Sequence, residues 1–113
     1  MAYELLVGLN IKDAAGYQAY RKAMTPILNA CGGKFTYDFL VSQVLKAEKG
    51  EAINRVFVIS FPNEAVPSKF FDDPAYLKVK KQFFEQAVES ITVIAEYKKR
   101  YRVPKGQATN EIN

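Results

Sequence analysis

Tyrosine hydroxyls are the groups in this chain whose spacing most readily allows chemistry. Four tyrosines fall on the predicted first helix, second strand and second helix: Tyr17, Tyr20, Tyr37 and Tyr76. A phenol is apolar along its ring and polar at its tip, so that several phenols can line one cavity. A hydroxyl with a pKa of about 10 is a poor base at neutral pH, but it donates a hydrogen bond well to a phenolate or enolate. Core packing with the hydroxyls at the rim is the alternative use of these residues.

Two more polar side chains stand inside predicted strands, Asn10 in the first and Asp38 in the second. We predict a ligand site made of Asn10, Tyr37, Asp38 and Tyr76, in which the two tyrosines bind the ligand and Asp38 or Asn10 orients them. The predicted ligand is small, flat and largely apolar. A solvated strand end or an interface hydrogen bond is the alternative for Asn10 and Asp38.

Several classes of site are excluded by composition. The chain has no histidine and one cysteine, which removes Ser/His and Cys/His nucleophile pairs, histidine-ligated haem and the usual zinc sites. Cys31 lies on the apolar side of a helix end, where we expect a structural thiol. Asp72 and Asp73 precede Pro74, and helix capping explains them better than a metal or acid–base role. The sequence therefore predicts neither a metal site nor a bound cofactor.

The order of predicted elements indicates a fold class. Residues 3–11 alternate as a strand with an apolar odd face, and a helix capped by Asp13 follows and ends at Gly32-Gly33. Further strands are predicted over 35–45, 56–61 and 91–97, with a charged hairpin loop over 46–54 and a two-part helix over 63–88 that restarts at Asp73-Pro74. This βαββαβ order predicts an α+β, ferredoxin-like fold with a four-stranded antiparallel sheet.

The positive charge is confined to one end of the chain. Residues 1–97 hold 11 basic and 11 acidic residues, so the net charge of +4 comes from residues 98–113. We predict a folded domain over 1–97 and a partly disordered basic tail over 98–113. Tyr97 and Tyr101 interleave with the tail's cations, but a solvated tail or a strap across a partner subunit explains it better than nucleic-acid binding. With no leader or long apolar run, we expect a cytoplasmic protein without a membrane partner.

Several short motifs carry a resemblance to a known family. They are FPN followed by FFDDPAYLKVKK, Asp13 with Tyr17, Cys31-Gly32-Gly33-Lys34-Phe35, and Val44-Leu45. Over roughly residues 4–96 the chain resembles the bacterial family catalogued as domain of unknown function 1330, a branch of the dimeric α/β-barrel proteins. The resemblance implies a homodimer paired through its sheets. Relatives in the superfamily include cofactor-independent oxygenases.

Two function hypotheses follow. The first is a small homodimer that binds a small apolar or aromatic molecule, with a cofactor-independent, oxygenase-like enzyme as its catalytic form. The second is a non-catalytic interaction or ligand-sensing module. A pocket with at least two convergent polar groups favours the first, and a pocket filled by Phe and Tyr side chains favours the second. For the dimer, we expect Leu6, Val56 and Val58 to form an apolar face opposite the helices.

Overall fold

The first strand, β1 (Tyr3–Ile11), lies inside the sheet and pairs with a strand on each side. The computed structural model describes residues 1–100 of the chain. After β1 come α1 (Ala14–Ala30), β2 (Lys34–Leu40), β3 (Arg55–Phe61), α2 (Val66–Phe71) and α3 (Pro74–Val79). A π-helical turn (Lys80–Phe84) continues α3, and α4 (Glu85–Ala87) and β4 (Val88–Lys98) follow. The antiparallel sheet has the order β2-β3-β1-β4, so the predicted ferredoxin-like α+β fold is confirmed.

The sheet has two different faces because side chains alternate along each strand. The inner face is the one the helices cover, and it carries Leu5, Val7 and Leu9 of β1, which are buried in the core together with Phe57 and Ile59 of β3. The outer face carries the even residues of β1, from Glu4 to Asn10. The predicted apolar odd face of the first strand is therefore the one that packs against the helices.

A β-bulge in β2 changes which residues reach each face. Phe35 pairs with Ile59 and Tyr37 pairs with Val58, so Thr36 is the extra residue between two consecutive partners. Without the bulge, Tyr37 would lie on the same face as Phe35. With it, Asp38 pairs with Phe57 on the inner face, and Tyr37 and Phe39 project from the outer face.

Three predicted boundaries differ from the structure. The second strand ends at Leu40 rather than at residue 45. Leu40 pairs with Arg55, the first residue of β3, so residues 41–45 have no strand opposite them. The second helical region begins at Val66 rather than residue 63 and breaks as predicted before Pro74, where the Asp73 side chain accepts a hydrogen bond from Ala75 N. The fourth strand begins at Val88, three residues before its predicted start.

The end of the chain is described only in part. β4 runs through Lys98, and Lys99 N donates a hydrogen bond to Ala2 O. Most of the predicted disordered tail, residues 101–113, lies outside the described residues, so the boundary between domain and tail stays a prediction. None of the helices within residues 1–100 is long and apolar enough to cross a membrane.

Gly32 and Gly50 both have positive φ, 83° and 73°, but their surroundings differ. A Cβ on Gly32 would lie 2.7 Å from Pro62 Cγ, whereas a Cβ on Gly50 would meet nothing within 4 Å. Gly50→Ala should cost about 1 kcal/mol of unfolding free energy through backbone strain alone. Gly32→Ala should cost at least about 1 kcal/mol more because of the added clash. Urea unfolding of both variants tests this, and equal losses would contradict it.

Candidate functional site

A cavity of about 360 Å³ lies between the inner face of the sheet and the helices. Its floor is made of aliphatic and aromatic side chains of β1 and β3, and aromatic side chains of the helices form its walls. The lining includes Leu5, Val7, Leu9, Phe57, Ile59, Tyr17, Tyr20, Met24, Phe71, Tyr76 and Phe84. Ile91 and Val93 of β4 also line the cavity and are half exposed, so it opens toward β4.

Two tyrosine hydroxyls meet at the cavity wall. The hydroxyl oxygens of Tyr20 on α1 and Tyr76 on α3 are 2.8 Å apart, and both residues are buried. α1 places Tyr20 three residues after Tyr17 on its buried side, and the Asp73 cap with Pro74 fixes the start of the helix that carries Tyr76. One hydroxyl of such a pair donates and the other accepts, so the accepting hydroxyl keeps its own proton for a further partner.

Burial keeps both phenols in the neutral form. Burial raises the pKa of Tyr20 far above its ordinary value, and its neighbour Tyr76 raises it further. Burial also raises the pKa of Tyr76, although the hydrogen bond to Tyr20 opposes this. A neutral hydroxyl is a hydrogen-bond donor, so this pair presents an O–H at neutral pH rather than a phenolate.

Lys80 supplies a cation at the same wall. It lines the cavity, and it follows Tyr76 by four residues, which places both side chains on one side of the helix. Lys80 is also the first residue of the π-helical turn, and Phe84 at the end of that turn lines the cavity as well. Single π-helical turns inside α-helices are frequent at functional sites.

A cluster of charged side chains lies on the inner face, next to the wall that Tyr17 and Phe35 form. The Arg55 guanidinium binds Asp38 through two hydrogen bonds of 2.7 and 2.9 Å. Arg21 donates one hydrogen bond to Asp38 Oδ2 at 3.1 Å and another to the Tyr17 hydroxyl at 3.0 Å. The Arg21 guanidinium also stacks 3.6 Å from the centre of the Phe35 ring. Two guanidinium groups and one carboxylate leave this cluster with a net charge of +1.

The charges and the burial of this cluster shift the pKa values of Asp38 and Tyr17. Hydrogen bonding to Arg55 holds the pKa of Asp38 below its usual range, and the charges of both arginines act in the same direction against desolvation. Burial raises the pKa of Tyr17, although Arg21 and Arg55 oppose the rise. Asp38 is therefore ionised at neutral pH and Tyr17 is neutral.

The structure separates the four residues predicted from sequence to share a site. Tyr76 lines the cavity, and Asp38 lies on the inner face inside the arginine cluster. Tyr37 lies on the outer face, 52% exposed and stacked on Phe39, because the Thr36 bulge reverses its direction. Asn10 is an even residue of β1 and also faces outward, where it accepts a 3.4 Å hydrogen bond from Asn54 Nδ2. Of the four, Tyr76 lines the cavity and Asp38 does not, although it lies on the same face of the sheet. The prediction that Asn10, Tyr37 and Asp38 meet Tyr76 in one cavity was therefore wrong.

Sequence reasoning missed three cations, Arg21, Arg55 and Lys80. Signals for two of them were present: Arg21 follows Tyr17 by four residues, and Lys80 follows Tyr76 by the same interval. Arg55 directly precedes the buried run VFVISF, and a charged residue at the end of a strand is usually solvent-exposed, so its position gave no signal of a site. Nothing in the letters KKQFF indicates a π-helical turn.

Two other side chains from the sequence analysis, Cys31 and Asp13, form hydrogen bonds that stabilise the fold. The Cys31 thiol is partly buried and donates a hydrogen bond to Leu28 O. The Asp13 side chain accepts a hydrogen bond from Gly16 N at the start of α1. Within residues 1–100, no group of three or more His, Cys, Asp or Glu side chains is placed to hold a metal ion.

Asp38→Asn tests the cluster through the pH dependence of stability. A lowered pKa in the folded state stabilises the protein above the unfolded pKa of about 3.9, and this contribution is lost as pH falls through the folded pKa. The variant should be less stable than the parent at pH 7, and the difference should shrink as pH falls below about 4. Urea unfolding between pH 7 and pH 3 measures it, with the exposed carboxylate variant Asp72→Asn as control. A difference that stays constant over this range would contradict the assignment.

Comparisons with known proteins agree with the fold. A protein of unknown function from Rhodopseudomonas palustris, RPA0582, is 22% identical with a TM-score of 0.74, covering 89% of this chain and 84% of its own. SnoaB, a cofactor-independent oxygenase from Streptomyces nogalater, is 11% identical with a TM-score of 0.60, covering 92% and 98%. A dimeric ferredoxin-like protein of unknown function from Bacteroides fragilis is 13% identical with a TM-score of 0.52, covering 87% and 96%. No curated protein matches the sequence. Since the family described as domain of unknown function DUF1330 matches residues 2–101, the chain belongs to that family.

Proposed function

We propose that this protein binds a small, flat, largely apolar molecule in the cavity between the sheet and the helices. The observation that carries the proposal is the buried pair of Tyr20 and Tyr76 hydroxyls in the wall of an otherwise apolar cavity. A cavity of about 360 Å³ is at the small end of the range for ligand pockets, which are mostly apolar with a few placed polar groups. The ligand is therefore a small aromatic molecule with an oxygen that accepts a hydrogen bond.

The hydroxyl pair orients the ligand in the cavity. The free O–H of the pair donates to an oxygen of the ligand, while the floor of Val7, Leu9 and Phe57 excludes water from the ring. A donor held in a water-poor site stabilises negative charge that develops on that oxygen. The positive charge of Lys80, at the same wall, also stabilises negative charge on that oxygen.

The catalytic form of this proposal is a cofactor-independent oxygenase, in which the ligand loses its proton to water and its enolate or phenolate is oxidised by O₂, with a new C–O bond formed between a ring carbon and O₂. The likeness in fold to SnoaB supports it by analogy. The alternative is a ligand-sensing or interaction module that binds the same class of molecule without turnover. Oxygen consumption by the protein with a bound phenol separates the two: uptake that depends on the hydroxyl pair favours the oxygenase, and none favours the sensor.

We also propose that the protein is a homodimer paired through the outer faces of its sheets. Tyr37, Phe39 and Ile94 are about half exposed on this side, next to Leu6 and Val56, which are partly buried. Val58, which we expected to belong to the exposed patch, is already buried within one chain. A contiguous apolar face of this kind marks an interaction surface. A cytoplasmic location is part of the proposal, and the free thiol of Cys31 supports it.

The double variant Tyr20→Phe/Tyr76→Phe tests ligand binding. Removing both hydroxyls takes away each partner of the bond together, so neither is left buried without the other, and the free energy of unfolding should stay within about 1 kcal/mol of the parent. Affinity for 1-naphthol should fall about tenfold, because the ligand oxygen loses its donor. Affinity for naphthalene, which has no oxygen, should stay the same. Isothermal titration calorimetry measures both probes, with Tyr37→Phe on the outer face as the matched control.

Two results would count against this assignment. If neither probe binds to the parent protein, the cavity does not hold a flat ring. If Tyr37→Phe weakens 1-naphthol binding and the double variant does not, the site lies on the outer face.

Phe39→Glu tests the proposed dimer. A charge on the outer face cannot be buried against a second apolar face without a large desolvation cost, so the variant should be a monomer. Light scattering should give twice the chain mass of 12.8 kDa for the parent and the chain mass for Phe39→Glu. Leu77→Glu, at an exposed position on α3, should remain a dimer. A parent protein that is monomeric at micromolar concentration would overturn the proposal.

A further inference from the structure

We propose that the molecule held in the cavity carries a negatively charged oxygen, as an aromatic carboxylate or a phenolate does, and that Lys80 is the residue that selects it. This inference rests on the proposed function and narrows its ligand to one chemical class. Lys80 would pair with the charged oxygen while the free hydroxyl of the Tyr20–Tyr76 pair donates to it. Three observations about charge carry the inference.

The first observation is the charge of the lining. Among the residues described as lining the cavity, Lys80 is the charged one, and the lining contains no carboxylate to neutralise it. Lys80 is partly buried, and no ion pair joins it to any acidic side chain within residues 1–100. A cation that is partly removed from water gains most from an anionic partner in the same place.

The second observation is that the polar groups at this wall are donors. An ammonium group has hydrogens to donate and no lone pair to accept with, and the accepting tyrosine of the pair has one O–H left. The matching group is one oxygen with several lone pairs and a negative charge. A ligand amine or a neutral donor would leave Lys80 facing a like charge or another donor.

The third observation is the charge behind the neighbouring wall, which Tyr17 and Phe35 form next to Tyr20. Tyr17 and Phe35 line the cavity, and the guanidinium of Arg21 lies against both rings. Arg21 and Arg55 share the single carboxylate of Asp38, so a net positive charge remains next to the lining. Lys80 and the arginine cluster thus both contribute positive potential to the cavity, which favours an anion over a neutral molecule of the same shape.

A pair of probes that differ in charge but hardly in shape tests the inference: 1-naphthoate and naphthalene-1-carboxamide. The parent protein should bind 1-naphthoate about tenfold more tightly than the carboxamide, since charge-assisted hydrogen bonds are about twice as strong as neutral ones. In Lys80→Met this preference should disappear, with affinity for the carboxamide unchanged because the methionine keeps the length and apolar stem of the lysine. Lys81→Met, at the exposed next position, is the matched control and should keep the preference.

The outcomes distinguish this inference from the proposed function. Binding of the carboxamide as tightly as the carboxylate would overturn the selection of an anion and leave the cavity as a ligand site. An unchanged preference in Lys80→Met would also overturn it, since Lys80 would then extend to solvent. If neither probe binds to the parent, both the inference and the proposed function fail. A preference that rising salt weakens in the parent but not in Lys80→Met would support it.

Discussion

The hydrogen bond between the hydroxyls of Tyr20 and Tyr76 is the interaction on which the cavity depends. It joins α1 to α3 across the wall, and it satisfies two polar groups that would otherwise be buried without a partner. Within residues 1–100, the remaining hydroxyl proton of the pair has no acceptor among the hydrogen bonds of the structure. The arrangement stabilises the helical layer and prepares a donor, and the Asp73 cap determines where Tyr76 stands. The aromatic neighbours Phe84 and Phe70 pack at 4.8 and 4.5 Å from the two rings and hold them in place.

A single irregularity in β2 decides how the two faces of the sheet are used. The Thr36 bulge directs Asp38 inward, where it neutralises part of the charge of Arg21 and Arg55, and directs Tyr37 and Phe39 outward. With regular alternation, Tyr37 would face the helices and Asp38 would lie on the outer face. The inner charged cluster and the outer apolar face are thus two consequences of one extra residue. Bulges re-aim side chains in this way near functional sites.

The sequence carried enough information for the fold and for part of the site. Alternation in β1 identified the inner face, and Asp73-Pro74 identified the helix restart, because both are local patterns with one physical meaning. The same local pattern predicted Tyr76 as a site residue, because it lies in the first turn of the helix that restarts at Asp73-Pro74. Tyr37 and Asp38 were predicted to share one site, but they lie on opposite faces of the sheet. No local signal marks the bulge at Thr36, since a bulge depends on how two strands pair. Arg21 and Lys80 were missed although each follows a site tyrosine by four residues, a spacing that places both on one side of a helix.

Methyl NMR during titration with 1-naphthol shows whether the cavity between the sheet and the helices is the ligand site. The two faces of the sheet carry separate sets of methyl groups: Leu5, Val7, Leu9 and Ile59 border the cavity, whereas Leu6, Val56 and Ile94 belong to the outer face. We expect the resonances of the first set to shift through ring-current effects and to saturate, while those of the second set stay in place. Shifts confined to Leu6, Val56 and Ile94, or no shifts at all, would contradict it.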